Sequence, residues 1–174
     1  MRKVLILVAL LLLSGVPALA QQVSEYPRGE FYGGFQYTRL DLIVTHENAY
    51  GWHAGLAGNF HRNFGIVGDV SGGYGSVVGV SFKDYTYMVG PRFYARYDKA
   101  TGFVHALFGG NHISGGGVSS SDFAWGAGGG VDANINKSWA WRVVQADYVQ
   151  VRSSGTSSNN WRISTGIVAK WGTR

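Results

Sequence analysis

Two groups of residues in this chain have types and spacings that could do chemistry. Asp69, Arg92, Arg96, Asp132, Arg142, Asp147, Arg162 and Lys170 are charged side chains set within otherwise apolar or glycine-rich segments. Charges in such surroundings persist only when paired. The chemistry expected of them is therefore mutual neutralisation, a structural network filling an interior. If water ran between them, five basic against three acidic groups would instead make a narrow path that mildly prefers anions. The second group is His112-Ile113-Ser114. Two residues apart on a strand, a base and a hydroxyl share a face, as a nucleophile and its activator require. The orienting acid is wanting, because Asp122 lies across a Gly/Ser stretch and no Glu is near. No catalytic residue is assigned.

Other chemistries drop out by inventory. With no Cys there is no disulfide framework, thiolate metal site or Cys nucleophile. His46, His53, His61, His105 and His112 form no i, i+2 or i, i+4 pair with a further ligand, so no metal site is expected. Gly115-Gly116-Gly117 and the run from Gly126 to Gly130 are followed by neither a helix nor Lys-Ser/Thr. They cradle no phosphate, and no cofactor is expected.

The elements that must position the charges are strands. After residue 20 the sequence alternates with period 2 in eight segments separated by polar clusters. Their spans are Glu30–Leu40, Tyr50–Phe60, Phe64–Tyr74, Tyr85–Tyr97, Gly102–His112, Phe123–Ala133, Trp139–Val151 and Trp161–Trp171. Each is near the roughly 9–11 residues that a tilted strand needs to cross a bilayer. In the fourth, Tyr85, Tyr87, Val89, Phe93 and Tyr97 share one face while Thr86, Gly90, Arg92 and Arg96 share the other. The fifth is ambiguous, and His105 is placed on the inward face. In the seventh, Arg142 is even while Gln145 and Asp147 are odd, so all three point inward only if a β-bulge lies between them. Short turns follow segments two, four and six. Longer stretches, Asp41–Ala49, Gly75–Asp84, Ile113–Asp122 and Arg152–Asn160, follow one, three, five and seven. Eight antiparallel strands with both termini on the short-turn side give that asymmetry, the one expected of outer-membrane barrels.

Composition narrows the class. The 174 residues include 27 glycines, about double the ordinary share, with 14 % aromatic and only 14 % charged residues. That mixture excludes a disordered chain, and the glycines lack the three-residue period of collagen. Met1-Arg2-Lys3, the apolar run Val4–Leu13 and Ala18-Leu19-Ala20 make up a cleavable export signal over residues 1–20. Its ten-residue apolar run falls well short of a spanning helix. Part of the net charge of +5 belongs to this leader, and export together with scattered basic residues excludes a nucleic-acid partner. The expected organisation is signal 1–20, an N-terminal periplasmic segment 21–29 and a barrel over 30–174.

A secreted soluble barrel, such as a periplasmic ligand-binding one, would alternate in the same way. The faces decide between the two. The bulkier, aromatic face is the apolar one, while the other is small or charged, too sparse for a solvated exterior and suited to a narrow eight-stranded lumen. Aromatics gather near segment ends, at Phe31, Tyr50, Phe60, Phe64, Tyr74, Tyr85, Tyr97, Phe123, Trp139, Trp161 and Trp171, with Trp52 and Trp125 close by. Two interfacial girdles are expected from them. The fold class is thus all-β, an eight-stranded antiparallel up-and-down transmembrane β-barrel.

The chain resembles the small OmpA/OmpX-like outer-membrane β-barrel family over nearly all of its length after the signal. The resemblance is carried by Gly51-Trp52 through Asn59-Phe60, Val89-Gly90-Pro91-Arg92-Phe93, Ala146-Asp147-Tyr148 and Gly166-Ile167-Val168-Ala169-Lys170-Trp171. It implies that Ile167, Ala169 and Trp171 form the terminal signal read by the barrel-assembly machinery, although Gly172-Thr173-Arg174 follow the final aromatic. It also implies an outer-membrane location among lipids and lipopolysaccharide, a monomer, and no peptidoglycan-binding domain of the OmpA type. The role expected is structural or surface-interacting, with four extracellular loops and an unspecified ligand for them. A narrow pore and a lipid-modifying enzyme, the latter on a faint likeness to eight-stranded lipid A deacylases, are the alternatives.

Overall fold

In the computed structural model, which describes residues 25–41, 46–77, 80–153 and 156–173, the alternating segments fold as eight antiparallel strands. They are β1 (Pro27–Asp41), β2 (His46–His61), β3 (Phe64–Val77), β4 (Val80–Arg96), β5 (Ala100–Gly115), β6 (Val118–Asn134), β7 (Trp139–Ser153) and β8 (Thr156–Thr173). Each strand pairs with its sequence neighbour. β1 also pairs with β8, from Pro27↔Thr173 to Arg39↔Trp161, and this closes the sheet into a barrel. A closed sheet has no free edge, which is the condition for placing strands in lipid. The export signal lies outside the described residues.

Three sequence expectations are corrected. β1 begins at Pro27, so residues 27–29 belong to the barrel and not to an N-terminal segment. The strands run to 14–18 residues, beyond the crossing length. Most of the surplus comes from the four stretches expected to be loops, whose described residues continue the strands. The β3–β4 ladder extends to Val77↔Val80, β5–β6 to Gly115↔Val118, and β7–β8 to Ser153↔Thr156. Gly and Ser there signalled loops, but cross-strand pairing outweighs their weak local preference. Gly116 and Gly117 at one tip have φ of 59° and 82°, the left-handed pair that a two-residue hairpin turn requires.

Beyond the distal aromatics, away from the chain termini, the barrel splits. Pairing of β2 with β3 stops at Tyr50↔Tyr74, and that of β6 with β7 stops at Phe123↔Arg152. Strands β3 to β6 therefore project as one sheet, flanked by the β1–β2 and β7–β8 hairpins. At the terminal end the turns are short and braced by asparagines. Asn63 Nδ2 donates to the Tyr94 carbonyl at 2.8 Å, and Asn134 Nδ2 donates to the carbonyls of Tyr97 and Asp98 at 2.9 and 3.0 Å.

The barrel is apolar outside and polar inside. Phe31, Phe35, Leu56, Val89, Val104 and Ile163 are each half exposed or more, facing outward, while Glu30, Asp69, Arg92, Arg96, Asp132, Arg142, Asp147 and Arg162 are buried inside. A soluble periplasmic barrel has the opposite arrangement, so that alternative is overturned. The lumen also holds a small apolar set that includes Tyr32, Val67, Met88, Leu107 and Val168.

Candidate functional site: the barrel lumen

Strand parity delivers the side chains. On β5, Phe103, His105 and Leu107 point inward while Val104 and Phe108 face out, which resolves the ambiguity of that segment. On β7 the register shifts between Arg142 and Gln145. Val143 and Val144 both face outward across the shift, so Arg142, Gln145 and Asp147 all reach the lumen. The carbonyl of Arg142 accepts a hydrogen bond from Thr165 Oγ1 at 2.8 Å on the neighbouring strand, beside the bulge.

The eight charges expected at the lumen all lie there, arranged along its axis. Near the terminal end, Arg96 Nη1 meets Glu30 Oε1 at 2.8 Å, and Asn59 Nδ2 donates to the same oxygen. At mid-height Arg142 is bidentate on Asp132, at 2.9 and 3.2 Å, and donates from Nη1 to Gln145 Oε1 at 2.8 Å. Gln145 Nε2 passes the chain of bonds to Asp147 Oδ2 at 2.8 Å. Arg162 bridges two carboxylates, Asp69 at 2.9 Å and Asp147 at 2.7 Å. Lys170 stands apart and donates to the neutral Asn134 Oδ1 at 2.6 Å.

Arg92 has no carboxylate in contact among the described residues. It donates from Nη2 to the Tyr32 hydroxyl at 3.3 Å and to His105 Nδ1 at 3.1 Å. Arginine only donates, so Nδ1 must be the accepting nitrogen. His105 then carries its proton on Nε2, where it meets Asp147 Oδ1 at 2.8 Å. Arg92 and Arg142 also both stack on the rings of Tyr32 and Phe103, at 4.0–5.0 Å. Both guanidinium side chains belong to residues with no solvent exposure, and this layer of two cations and two rings closes the lumen. A packed mid-layer opposes the narrow-pore alternative.

Sequence reasoning missed the part played by Tyr32 and Phe103 in the lumen. For Tyr32 the signal was available in the parity of β1, where even-numbered residues such as Glu30, Gln36 and Thr38 face in. The assumption that aromatics face lipid hid Tyr32, whose hydroxyl donates to Asp69 Oδ2 at 2.6 Å.

Outside, aromatics sit at both ends of the apolar band. Phe31, Phe60, Trp139 and Trp171 are exposed at the terminal end, where Phe64 packs on Phe93 at 5.2 Å and Tyr97 is partly covered. At the distal end Tyr50 contacts Phe35 and Tyr37, Tyr74 meets Tyr85 edge-on, and Tyr148 lies between Trp125 and Trp161. Phe123 is exposed beside them. Ile167 and Trp171 face outward on β8. The Trp171 ring covers Gly29 across the closing seam, where a Cβ would sit 2.4 Å from it.

The enzyme-like pair does not form. His112 Nδ1 is 2.8 Å from Ser121 Oγ on β6, its cross-strand neighbour, and not from Ser114. Asp122 accepts from Ser120 Oγ. No carboxylate reaches the imidazole among the described residues. Farther out, beyond the Tyr85 ring, Asp84 accepts from Asn111 Nδ2, and burial holds its carboxyl above the usual range.

No family model matches the sequence, and no curated protein matches it either. Solved structures do match. Neisserial surface protein A (NspA) superposes with a TM-score of 0.72 at 11 % identity, over 86 % of this chain and all of that one. The N-terminal β-barrel domain of Pseudomonas aeruginosa OprF gives 0.56 at 11 % identity, over 83 % of this chain and 98 % of that domain. Ail, the attachment invasion locus protein of Yersinia pestis, gives 0.53 at 19 %, over 82 % and 98 %. At these identities the likeness is one of fold, that of the small eight-stranded transmembrane β-barrels.

Proposed function

We propose that the chain is a monomeric integral outer-membrane protein with a structural or surface-interaction role, a rigid barrel that holds hairpin tips above the membrane. The observation carrying this reading is the inverted distribution of polarity, an apolar belt between aromatic girdles around a lumen where all the charges but Arg92 and Lys170 are paired with one another. A filled lumen offers rigidity and no passage. The distal hairpins face the outside by the asymmetry of such barrels, with short turns on the periplasmic side. The girdles contact outer-membrane lipids and lipopolysaccharide, Ile167, Ala169 and Trp171 serve recognition by the assembly machinery, and an extracellular ligand would meet the hairpins instead of flexible loops.

Outer-membrane fractionation with heated and unheated gel samples tests the reading. The folded barrel is expected in the outer-membrane fraction, migrating differently until boiled, and recovery from the soluble periplasm would overturn it. Purified protein is expected to be silent in planar bilayers. Lipid A from expressing and deletion strains is expected to give identical mass spectra, since no carboxylate among the described residues orients the His112 imidazole.

A further inference from the structure

At the terminal end a cavity of about 480 Å³ opens among Tyr26, the turn after β4, the turn between β6 and β7 and the last residues of β8. Its charged lining is Arg96, Lys99, Lys137 and Lys170 against Glu25 and Asp98. Glu25 is already engaged by Lys137 at 3.4 Å. Neither Lys99 nor Lys170 has a carboxylate within ion-pair distance among the described residues. The Lys170 ammonium is nonetheless fixed, because Asn134 Oδ1 holds it at 2.6 Å and the Asn134 amide is itself tied to the carbonyls of Tyr97 and Asp98. Arg96 spends Nη1 on Glu30 and Nε on the Arg62 carbonyl, which leaves Nη2 without a hydrogen-bond partner in a side chain that is 4 % exposed.

Such a vestibule presents oriented donors and a surplus of positive charge to a space the size of a small-molecule site. An anion would satisfy the donors and offset the surplus charge together, through charge-assisted hydrogen bonds stronger than those to water. Behind the vestibule the layer of Arg92, Arg142, Tyr32 and Phe103 closes the lumen, so whatever enters must leave the same way. We propose that this vestibule is a binding site for a small anion bearing a carboxylate or phosphate group, held by Lys170 with Lys99 at the rim and the buried Arg96 guanidinium adding positive charge behind them. Ile135 and Tyr26 at the mouth would take an apolar portion of an organic anion. The site needs only the closed barrel. That it opens on the periplasm rests on the orientation proposed above.

The test is a titration of ¹⁵N-labelled full barrel, refolded in detergent micelles, with inorganic phosphate and separately with succinate at constant ionic strength and pH. Saturable amide shifts are expected in residues 97–101, 134–138 and 170–173, with residues 81–86 and 157–161 unmoved. The anion that saturates at lower concentration identifies the preferred group. Lys170→Gln is expected to weaken binding by roughly tenfold or more, the worth of one charged hydrogen bond. Lys99→Gln, on an exposed turn that does not carry the fold, should weaken it less. The same samples run on an unheated gel report barrel integrity independently, so loss of the fold is distinguished from loss of the site. Shifts that never saturate with either anion, that spread over both ends, or that survive both substitutions in folded protein would overturn the proposal.

Discussion

Arg142 shows how a filled lumen is held at the residue scale. Its guanidinium gives two hydrogen bonds to Asp132, one to Gln145, and its faces to Tyr32 and Phe103. Removing one member of such a pair strands a buried charge, at a cost of about 3–5 kcal/mol. Asp132→Ala is expected to lower the urea-unfolding stability of the refolded barrel by that order. A paired Asp132→Leu, Arg142→Met variant, with both charges gone, should recover most of it. Asp84 behaves differently. Its carboxyl titrates above the usual range because burial disfavours the charge. The protonated acid is the form that the fold prefers, so this contribution to stability is present below the unfolded pKa and fades as pH rises through the raised folded value. Amide-exchange protection in 82–86 and 111–113, corrected for intrinsic rates, should fall over that window, and Asp84→Asn should abolish the fall.

At the scale of elements, two devices decide the barrel. The bulge in β7 turns both Val143 and Val144 outward between Arg142 and Gln145, and deleting both valines makes those two polar residues adjacent. One side of the strand must then turn its polar residues to lipid, where a single Arg at mid-depth costs roughly 2–4 kcal/mol. The double deletion is expected to yield no unheated folded band on refolding into lipid, whereas deleting Val143 alone, which leaves regular alternation with all three polar side chains inward, folds. The second device is the seam. Gly29 lies beneath the Trp171 ring, and any side chain there must displace it. Gly29→Val should slow refolding of the gel-shifted form and lower its yield, while Gly58→Ala, at a position with open space, should leave both unchanged. Both results are read from the same time course of unheated samples.

For the whole molecule, an apolar belt outside and paired charges inside amount to a protein turned inside out relative to a soluble barrel. Much of this was legible beforehand. The eight strands, the inward charges and the β7 bulge all followed from alternation, because parity on a strand is rigid and charges tolerate only one side of the wall. The distal hairpins did not. Gly75–Asp84 and Arg152–Asn160 carry Ser, Gly and Asn, which locally favour turns, and nothing in one segment announces that its partner strand continues beside it. The Tyr32–Phe103 layer was equally hidden. It requires residues more than seventy positions apart to meet across the lumen.

The sequence by itself determined which side of each strand could face lipid, and with it the fold class, since that depends only on nearest-neighbour alternation and on the cost of placing charge in hydrocarbon. Only the tertiary structure decided who pairs with whom. It set Arg162 between Asp69 and Asp147, left Arg92 to two rings and a histidine, and left Lys170 at the mouth without a carboxylate. Pairing across a barrel depends on shear and closure, which place distant residues at one height, and no local pattern encodes that height.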